Sequence, residues 1–290
     1  MKSGWIILDK DSGVFSRTAG GRIARMLGTK KFGHIGTLDP MATGVLPIAF
    51  GDATKMIPYI QEFHLTLKEY LFSLQFGFET DTLDITGREI ARTDVIPDVD
   101  KVLSVLPHFF GDLFQTPPAY SAVHVNGRRA YEFIRSGQTP DIPERQVNIL
   151  SIEFLGITGK SWHFRMRCSA GTYVRSVARD IAKMCGTLAT VDMIRRTFSN
   201  GFSLADTVKL DFLENLFNNS GDFGEYLRPT DYGLGDIPVC KLCEQDAKLY
   251  KNGGFISVQR PNGIRRVYCG KTFLGIGYVV DGQLRPERTI

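Results

Sequence analysis

Three glycines, two threonines and an Asp-Pro step are packed into the segment GHIGTLDPMATGVLPI, residues 33–48. Glycine permits backbone conformations and close approaches that a side chain would block. Pro40 fixes its own φ angle and disfavours the helical conformation for Asp39. The segment is therefore suited to hold the Asp39 carboxylate rigidly at a loop tip beside a strand. An Asp-Pro step is also a common helix start, with Asp as N-cap, and this segment alone favours that alternative.

A second segment with chemical potential is CSAGTYVRSVARD, residues 168–180, which predicts a helix that opens at Thr172 and ends at Gly186. Arg175 falls in the first turn of this helix, where the helix dipole disfavours a cation. A facing anion would explain that position, and the candidates are a phosphate and the Asp39 carboxylate. Such a pair would keep Asp39 ionised and fix its rotamer. An exposed Arg175 with a small dipole penalty is the alternative.

The composition is that of an ordinary globular protein, with 43% hydrophobic and 23% charged residues in a chain of 290. No run approaches the roughly 18 apolar residues of a membrane span, and none resembles a signal peptide. The five cysteines fit a reducing compartment, so we expect a cytoplasmic protein without a membrane partner. Cys240 and Cys243 form a C-x-x-C pair. A structural zinc needs four ligands, however, and no histidine follows His163, so no metal is expected.

The net charge of +4 is small, but the basic residues are grouped. Such groups suit a phosphate backbone, and solvated helix faces are the alternative. The groups are Arg17, Arg22, Arg25, Lys30 and Lys31; Arg128, Arg129 and Arg135; and Arg175, Arg179, Lys183, Arg195 and Arg196. Tyr70 and Tyr173 are aromatic residues near the two chemical segments. They belong either to the core or to a stacking platform for an unstacked base.

The elements that must position these residues do not alternate strictly as β-α-β, which predicts an α+β fold. Strands are predicted at residues 5–8, 45–50 and 67–76, and the strands at 147–155 and 162–168 are predicted to form a hairpin. Another strand is predicted to end at the turn dipeptide Asn126-Gly127, followed by a short basic helix that ends near Gly137. Further helices are predicted at residues 16–27, capped by Ser16, at 98–106 and at 188–196. Residues 228–238 favour a linker, and the residues after them predict a small β domain without a helical period.

Taken in order, these motifs resemble the bacterial tRNA pseudouridine-55 synthases of the TruB family. GTLDPMATGVL, residues 36–46, is similar to the catalytic motif of that family, in which the Asp is the essential carboxylate. The remaining blocks follow the order of the family: LDKDSG, KEYLFSLQFGFETDTLDITG, QTPPAYSAVHVNGRRAYEFIRSG, CSAGTYVRSVARD, IRR and the C-terminal FLGIGYVVDGQLRPER. Asp11 and His124 stand where the family usually has proline and lysine.

The resemblance implies an α+β pseudouridine-synthase fold. A central mixed, mostly antiparallel sheet flanked by helices would occupy residues 1–232, and a PUA-like RNA-binding β domain would occupy residues 233–290. It implies that uridine 55 in the T loop of tRNA is isomerised by base flipping, glycosidic bond cleavage and re-attachment through C5. No cofactor is expected. The partner would be the tRNA T arm, without a guide RNA, and the chain is expected to be a monomer.

The resemblance also implies residue roles. Asp39 would be the catalytic carboxylate, and it would attack C1′, add to C6 of the uracil or remove a C2′ proton. Arg175 would hold Asp39 ionised, and Tyr70 would stack on the flipped base and assist removal of the C5 proton. The substrate-binding residues would be His34, Tyr173, Ile194 and Lys10. Two rival functions are a folding factor that clamps the T arm without chemistry and a guide-dependent or mRNA-directed synthase of the same fold.

Overall fold

The computed structural model describes residues 2–64, 67–125 and 127–290. The strands, β1 to β19 in chain order, are Gly4–Lys10, Phe32–His34, Thr43–Phe50, Lys68–Phe76, Phe78–Thr80, Glu89–Arg92, Gly111–Gln115, His124–Val125, Arg128–Arg129, Arg145–Thr158, Ser161–Cys168, Ala189–Ser199, Phe202–Ser203, Val208–Lys209, Val239–Leu242, Ile256–Ser257, Gly263–Cys269, Thr272–Val280 and Gln283–Thr289. The α-helices, α1 to α7, are Ser16–Met26, Ile57–Phe63, Val99–Val105, Ala130–Arg135, Val174–Met184, Leu210–Ser220 and Glu244–Lys251. Within these ranges, no helix has the length and apolar character needed to cross a membrane.

Ten strands form one large sheet, and the order along its main path is β14-β1-β3-β12-β4-β11-β10-β7. The β1–β14 and β12–β3 pairs are parallel, and the other pairs of this sheet are antiparallel. The predicted α+β class with a mixed, mostly antiparallel sheet is therefore confirmed. The central position of β12, between β3 and β4, places the IRR motif at the middle of the sheet.

Both faces of β1 are buried because different elements cover them. Successive side chains of a strand point to opposite faces. Ile6 and Leu8 therefore belong to one core, which contains apolar residues of α1, α3, α5 and α6. Trp5 and Ile7 belong to a second core on the opposite face, together with residues of α2 and of the C-terminal region. The large sheet is thus covered on both sides, and its centre is rigid.

A second sheet, with the strand order β15-β17-β18-β19-β16, forms the C-terminal region. The C-terminal region is rich in strands, as predicted, but it also contains helix α7, which was not predicted. Helix α7 is only eight residues long and buries only Ala247 and Tyr250. Two buried positions are too few to give a recognisable helical period.

The helix predicted at residues 188–196 is wrong, because these residues lie in strand β12. Register shifts between Val191 and Met193, and between Arg196 and Phe198, interrupt the pairing of β12 with β4. These irregularities remove the period-two pattern that marks a strand. The adjacent arginines, Arg195 and Arg196, then resemble the polar face of a helix.

Two other local predictions also need correction. Ser16 does not cap α1, because Phe15 is the N-cap residue and makes no side-chain capping bond. The linker predicted at residues 228–238 is packed against the large sheet: Leu234 and Ile237 are fully buried. Asn126, half of the predicted Asn-Gly turn, lies outside the described residues. The strands on either side of it, β8 and β9, do pair as an antiparallel hairpin.

Candidate active site

A cavity of about 430 Å³ opens at the centre of the large sheet, where the loop before β3, strand β4, strand β12 and the start of α5 meet. Its lining includes Asp39, Tyr70, Tyr173 and Ile194, four of the residues singled out in the sequence. The volume is within the range of protein sites that bind small molecules. The four residues come from four separate parts of the chain, so only the folded protein brings them together.

The loop between β2 and β3, residues 35–42, is held by side chains and backbone groups of the N-terminal region. Ser16 Oγ accepts a hydrogen bond from Leu38 N and donates one to Leu38 O, both at 3.0 Å. The carbonyl of Pro40 accepts from Gly13 N at 2.8 Å and from Lys10 Nζ at 3.0 Å. Hydrogen bonds therefore hold both residues that flank Asp39, Leu38 and Pro40, and restrict the position of the Asp39 backbone.

Two glycines in this region are required by geometry. Gly44 has a φ of +101°, and a Cβ there would lie 2.1 Å from the carbonyl oxygen of Arg196. Gly36 has a φ of +68°, and a Cβ there would lie 2.8 Å from Lys68 Nζ. A side chain at Gly44 would push β3 away from β12 and shift the loop that carries Asp39.

Arg175 lies in the first turn of α5, as predicted, and only 3% of its side chain is exposed. Its Nη2 donates to Asp39 Oδ1 at 2.9 Å, and its Nε is 2.8 Å from Asp39 Oδ2. Its Nη1 donates to Thr82 O at 2.8 Å, and Nη2 also donates to Tyr120 O at 3.0 Å. The predicted Asp39–Arg175 pair is present, and its two-point geometry fixes the carboxylate plane.

The helix-cap alternative for Asp39 is rejected by the structure. No helix follows Pro40, since β3 begins at Thr43. The Asp39 carbonyl accepts a turn hydrogen bond from Ala42 N at 3.1 Å, which leaves the carboxylate to Arg175. About 31% of the Asp39 side chain is exposed, toward the cavity that it lines. The carboxylate is thus paired on one side and accessible on the other.

Asp84 is a second acid near Arg175, and the sequence reasoning did not single it out. Its Oδ2 lies 3.8 Å from Arg175 Nη1, and only 6% of its side chain is exposed. Its Oδ1 accepts hydrogen bonds from Thr82 Oγ1 at 3.0 Å and from the backbone N–H of Thr86 at 3.0 Å. The signal was the dense Thr and Asp pattern of residues 80–86. Asp84 contacts Arg175 but does not line the cavity, so Asp39 is the acid of this cluster that faces the cavity.

Tyr70 and Ile194 are neighbouring buried residues of β4 and β12. They are 6% and 4% exposed, and both line the cavity. Burial raises the pKa of Tyr70 to about 12, so its phenol is neutral near pH 7. Tyr173 is the N-cap residue of α5, and the Gln115 side chain holds its backbone through hydrogen bonds at 2.8 and 3.2 Å. These side chains form aromatic and apolar walls around Asp39.

Lys10 and His34, which were predicted to bind the substrate, do not line the cavity. Lys10 is fully buried, and its Nζ donates to the carbonyls of Asp11, Val14 and Pro40 at 2.7 to 3.0 Å. Three hydrogen bonds use all of its ammonium protons, so Lys10 positions the loop of Asp39 instead. His34 lies in β2 and does not line the cavity. Its pKa is lowered by burial and by Arg196 and Arg17, and its Nδ1 is buried without a hydrogen bond.

The sequence reasoning also missed Lys68, Arg145 and His124 as cavity residues. Lys68 begins β4, two residues before Tyr70, and burial lowers its pKa to about 8. The Arg145 guanidinium lies 5.9 Å from the centre of the Tyr173 ring, over its face. For Lys68, the available signal was the two-residue spacing to Tyr70, because alternate residues of a strand share one face.

The three basic groups separate in the structure. Arg17, Arg25, Lys30 and Lys31 are exposed on and after α1, and Arg128, Arg129 and Arg135 are exposed around α4. In the third group, Arg175 and Arg196 are buried, and Arg195 forms a two-point pair with Asp9 at 3.1 Å. Two of the three groups thus present exposed positive charge to solvent.

Within the ranges described, no group of three or more His, Cys, Asp or Glu side chains is arranged to hold a metal ion. Cys240 is buried in β15, whereas Cys243 is exposed and its thiol lies 3.2 Å from Asp246 Oδ2. The two cysteines of the C-x-x-C pair therefore have different environments.

The fold is that of the pseudouridine synthases. It superposes with a TM-score of 0.68 on a protein in the structure of an H/ACA RNP bound to a substrate RNA containing 2'-deoxyuridine, at 22% identity. This similarity covers 99% of the chain and 84% of that protein, and at this identity it shows the fold alone.

Closer relatives identify the family. The chain is 38% identical to a tRNA pseudouridine synthase B of Gluconacetobacter diazotrophicus, with 99% of the chain and 97% of the relative covered. It is 41% identical to a tRNA pseudouridine synthase B of Caulobacter vibrioides, with 99% and 95% covered. Residues 24–174 match the N-terminal domain of TruB family pseudouridylate synthases, and residues 238–290 match the C-terminal domain of pseudouridine synthase II TruB. The chain therefore belongs to the TruB family of pseudouridylate synthases.

Proposed function

We propose that this enzyme converts uridine 55 in the T loop of tRNA to pseudouridine. The observation that carries the proposal is the Asp39–Arg175 pair at the wall of a cavity that Tyr70, Tyr173 and Ile194 also line. The names of the relatives, tRNA pseudouridine synthase B, support tRNA as the substrate. We place the reaction in the cytoplasm, where tRNA substrates are found, and we assign it to a monomer.

The reaction begins with extrusion of the target nucleotide from the T loop. Unstacking and unpairing a base costs about a few kcal/mol, which contacts in the cavity must offset. Tyr70 supplies an aromatic face for stacking, and Ile194 and Tyr173 close the apolar walls. The neutral phenol of Tyr70 stacks without an electrostatic penalty, and its O–H group is available to relay the C5 proton once the new bond forms.

Asp39 then acts on the nucleotide as an ionised carboxylate. It adds to C1′, adds to C6 of the uracil or removes the C2′ proton, and each route ends with C5 joined to C1′. Each route also needs a carboxylate of fixed orientation that is partly shielded from water. Arg175 provides the orientation through its two-point contact, and Asp84 and the backbone carbonyls hold Arg175 in turn.

The exposed basic groups of α1 and α4 supply the electrostatic contact with the T arm. Lys30 and Lys31 are exposed directly before β2, which leads into the Asp39 loop, and Arg129 pairs across the β8–β9 hairpin with the cavity residue His124. Contacts to phosphates position an RNA without reading its bases. His34, half-buried in β2 outside the cavity lining, is proposed to contact the T loop where the base is displaced. No guide RNA is required in this proposal, because the tRNA arm itself presents the uridine.

The substitution Asp39→Asn tests the proposal, since it removes the charge and keeps the shape of the side chain. Pseudouridine in a T-arm stem-loop is detected by chemical labelling after incubation with the protein. We expect product formation by the wild type to be abolished in the variant, with RNA affinity within about threefold. The exposed Asp94→Asn is the matched control and should retain wild-type activity.

Two results would contradict the proposal. If wild-type protein binds the stem-loop but forms no pseudouridine, a T-arm folding factor without chemistry becomes the better description. If Asp39→Asn remains fully active, the enzyme does not use this carboxylate.

A further inference from the structure

Two cationic side chains lie next to each other in the wall of the cavity. Lys68 lines the cavity and is 9% exposed, whereas Arg196 of β12 is fully buried. A Cβ at Gly36 would lie 2.8 Å from Lys68 Nζ and 2.9 Å from Arg196 Nη1. Both positive groups therefore occupy one small region between the loop of Asp39 and the centre of the sheet.

Neither group has an anionic partner in the part of the chain that the structure describes. Arg196 donates from Nε to Val45 O and from Nη2 to Gly36 O, and its Nη1 is buried without a hydrogen bond. The Lys68 ammonium group makes no hydrogen bond or ion pair with a described residue. The Cys168 thiol nearby is neutral, because burial raises its pKa to about 11. Unpaired buried cations are unfavourable, so a purely structural role does not explain them.

The position of Lys68 relates this positive region to the substrate base. Lys68 and Tyr70 are two residues apart on β4, so their side chains project from the same face. Both line the cavity with Asp39 and Ile194. A base that stacks on Tyr70 therefore lies beside the Lys68 ammonium group.

We propose that Lys68 is a further catalytic residue, whose ammonium group stabilises the negative charge that builds on the uracil ring, with Arg196 adding to the positive potential. The proposal rests on the pseudouridine synthase function proposed above. It assigns a function to two cations that the Asp39–Arg175 pair leaves unexplained.

The electron balance of every route places this charge on the base. If Asp39 attacks C1′, an ester bond forms, the N1–C1′ bond breaks and its electron pair leaves with N1. If Asp39 takes the C2′ proton, the C–H pair becomes the C1′–C2′ double bond and N1 again leaves with its pair. If Asp39 adds to C6, the C5–C6 pair moves toward O4 as an enolate. In the C6 route, the N1–C1′ bond breaks within the adduct, C5 bonds to C1′, and the Asp39–C6 bond then breaks with its electron pair returning to the carboxylate. In the C1′ route the ester bond breaks as C5 bonds to C1′, and in the C2′ route Asp39 returns its proton to C2′ as C5 bonds to C1′. In every route C5 then loses its proton and N1 gains one, so the base is neutral again.

The test compares Lys68→Met with wild type on a T-arm stem-loop, at saturating enzyme in a single turnover. We expect the rate constant for pseudouridine formation to fall by about 100-fold, the usual effect of removing one group that stabilises a developing anion. The dissociation constant and its salt dependence should be unchanged. Lys68→Arg, which keeps the charge, should stay within about tenfold of wild type. Lys68→Gln replaces the Met variant if that protein does not fold.

A second substrate separates catalysis from structure. A stem-loop with 5-fluorouridine at the target carries a base that accepts negative charge more readily. For each substrate, the quantity compared is the wild-type rate constant for conversion of the target nucleoside divided by that of Lys68→Met. This ratio should be clearly smaller with 5-fluorouridine than with uridine. An equal defect on both substrates indicates a structural role and overturns the proposal. A raised dissociation constant with an unchanged rate assigns Lys68 to a phosphate and also overturns it. Because Asp39→Asn is assayed in parallel, failure of this proposal is distinguishable from failure of the proposed function.

Discussion

The substitution Arg175→Lys retains the positive charge at the start of α5 but removes the planar fork. The guanidinium donates to Thr82 O, Tyr120 O and Asp39 Oδ1, and a further nitrogen lies 2.8 Å from Asp39 Oδ2. A lysine has one nitrogen at the end of a flexible chain, so it cannot reach all of these acceptors. If it pairs with Asp39, the Thr82 and Tyr120 carbonyls lose their donor in a buried environment.

The magnitude follows from these losses. A buried polar group without a partner costs about 1–3 kcal/mol, so two carbonyls lower the free energy of unfolding by about 2–6 kcal/mol. The loss of the two-point contact also releases the Asp39 rotamer. We expect the single-turnover rate constant to fall by about 100-fold, which corresponds to about 2.7 kcal/mol of transition-state stabilisation.

The measurements are urea denaturation and single-turnover pseudouridine formation, both compared with Arg92→Lys. Arg92 forms a similar two-point pair with Glu89, but the Arg92 side chain is 64% exposed. Its replacement should leave both the free energy of unfolding and the rate nearly unchanged, because the pair is exposed to solvent. If Arg175→Lys is as active and as stable as Arg92→Lys, then the two-point geometry is unimportant and the reasoning fails.

Two further predictions concern stability. In a urea titration, Gly44→Ala should lower the free energy of unfolding by about 3 kcal/mol or more, because the new Cβ meets the Arg196 carbonyl. Gly221 also has a positive φ, but the space around it is open, so Gly221→Ala should lower the free energy of unfolding by only about 1 kcal/mol. The pKa of Lys68 is lowered from 10.5 to about 8 in the folded chain, so the unfolded chain binds more protons between these values and the free energy of unfolding should rise with pH there. In Lys68→Met, the free energy of unfolding should rise less between pH 7.5 and 10 than in wild type. An identical pH dependence would contradict the lowered pKa of Lys68.

The sequence was sufficient for those parts of the site that depend on local rules. The Asp-Pro step between glycines indicated a fixed carboxylate, and the helix dipole indicated that Arg175 needs an anion. Asp39 and Arg175 are 136 residues apart in the chain, so local rules alone do not predict their contact. The resemblance of the ordered motifs to the TruB family made this contact predictable. Lys68 and Asp84 gave only weak local signals, the spacing to Tyr70 and the Thr and Asp pattern of residues 80–86, because their roles depend on neighbours that are distant in the chain.

The errors in the fold prediction also have physical causes. Strand β12 was assigned as a helix because its bulges and paired arginines hide the strand period. Lys10 was predicted to bind the substrate, whereas its ammonium group donates to the carbonyls of Asp11, Val14 and Pro40, the last of which is 30 residues away in the chain. Burial and hydrogen-bond partners decide both cases, and neither can be read from residue types alone.

The second core joins the two sheets of the molecule. Trp5 of β1 and Ile276 of β18 belong to the same buried cluster, and Lys55 Nζ donates to Thr289 O at 3.1 Å. A hinge between the sheets would expose this apolar surface to water, which is unfavourable. The span from the Asp39 cavity to the outer surface of the second sheet is therefore a fixed length, and an RNA that touches both must match that length by its own shape.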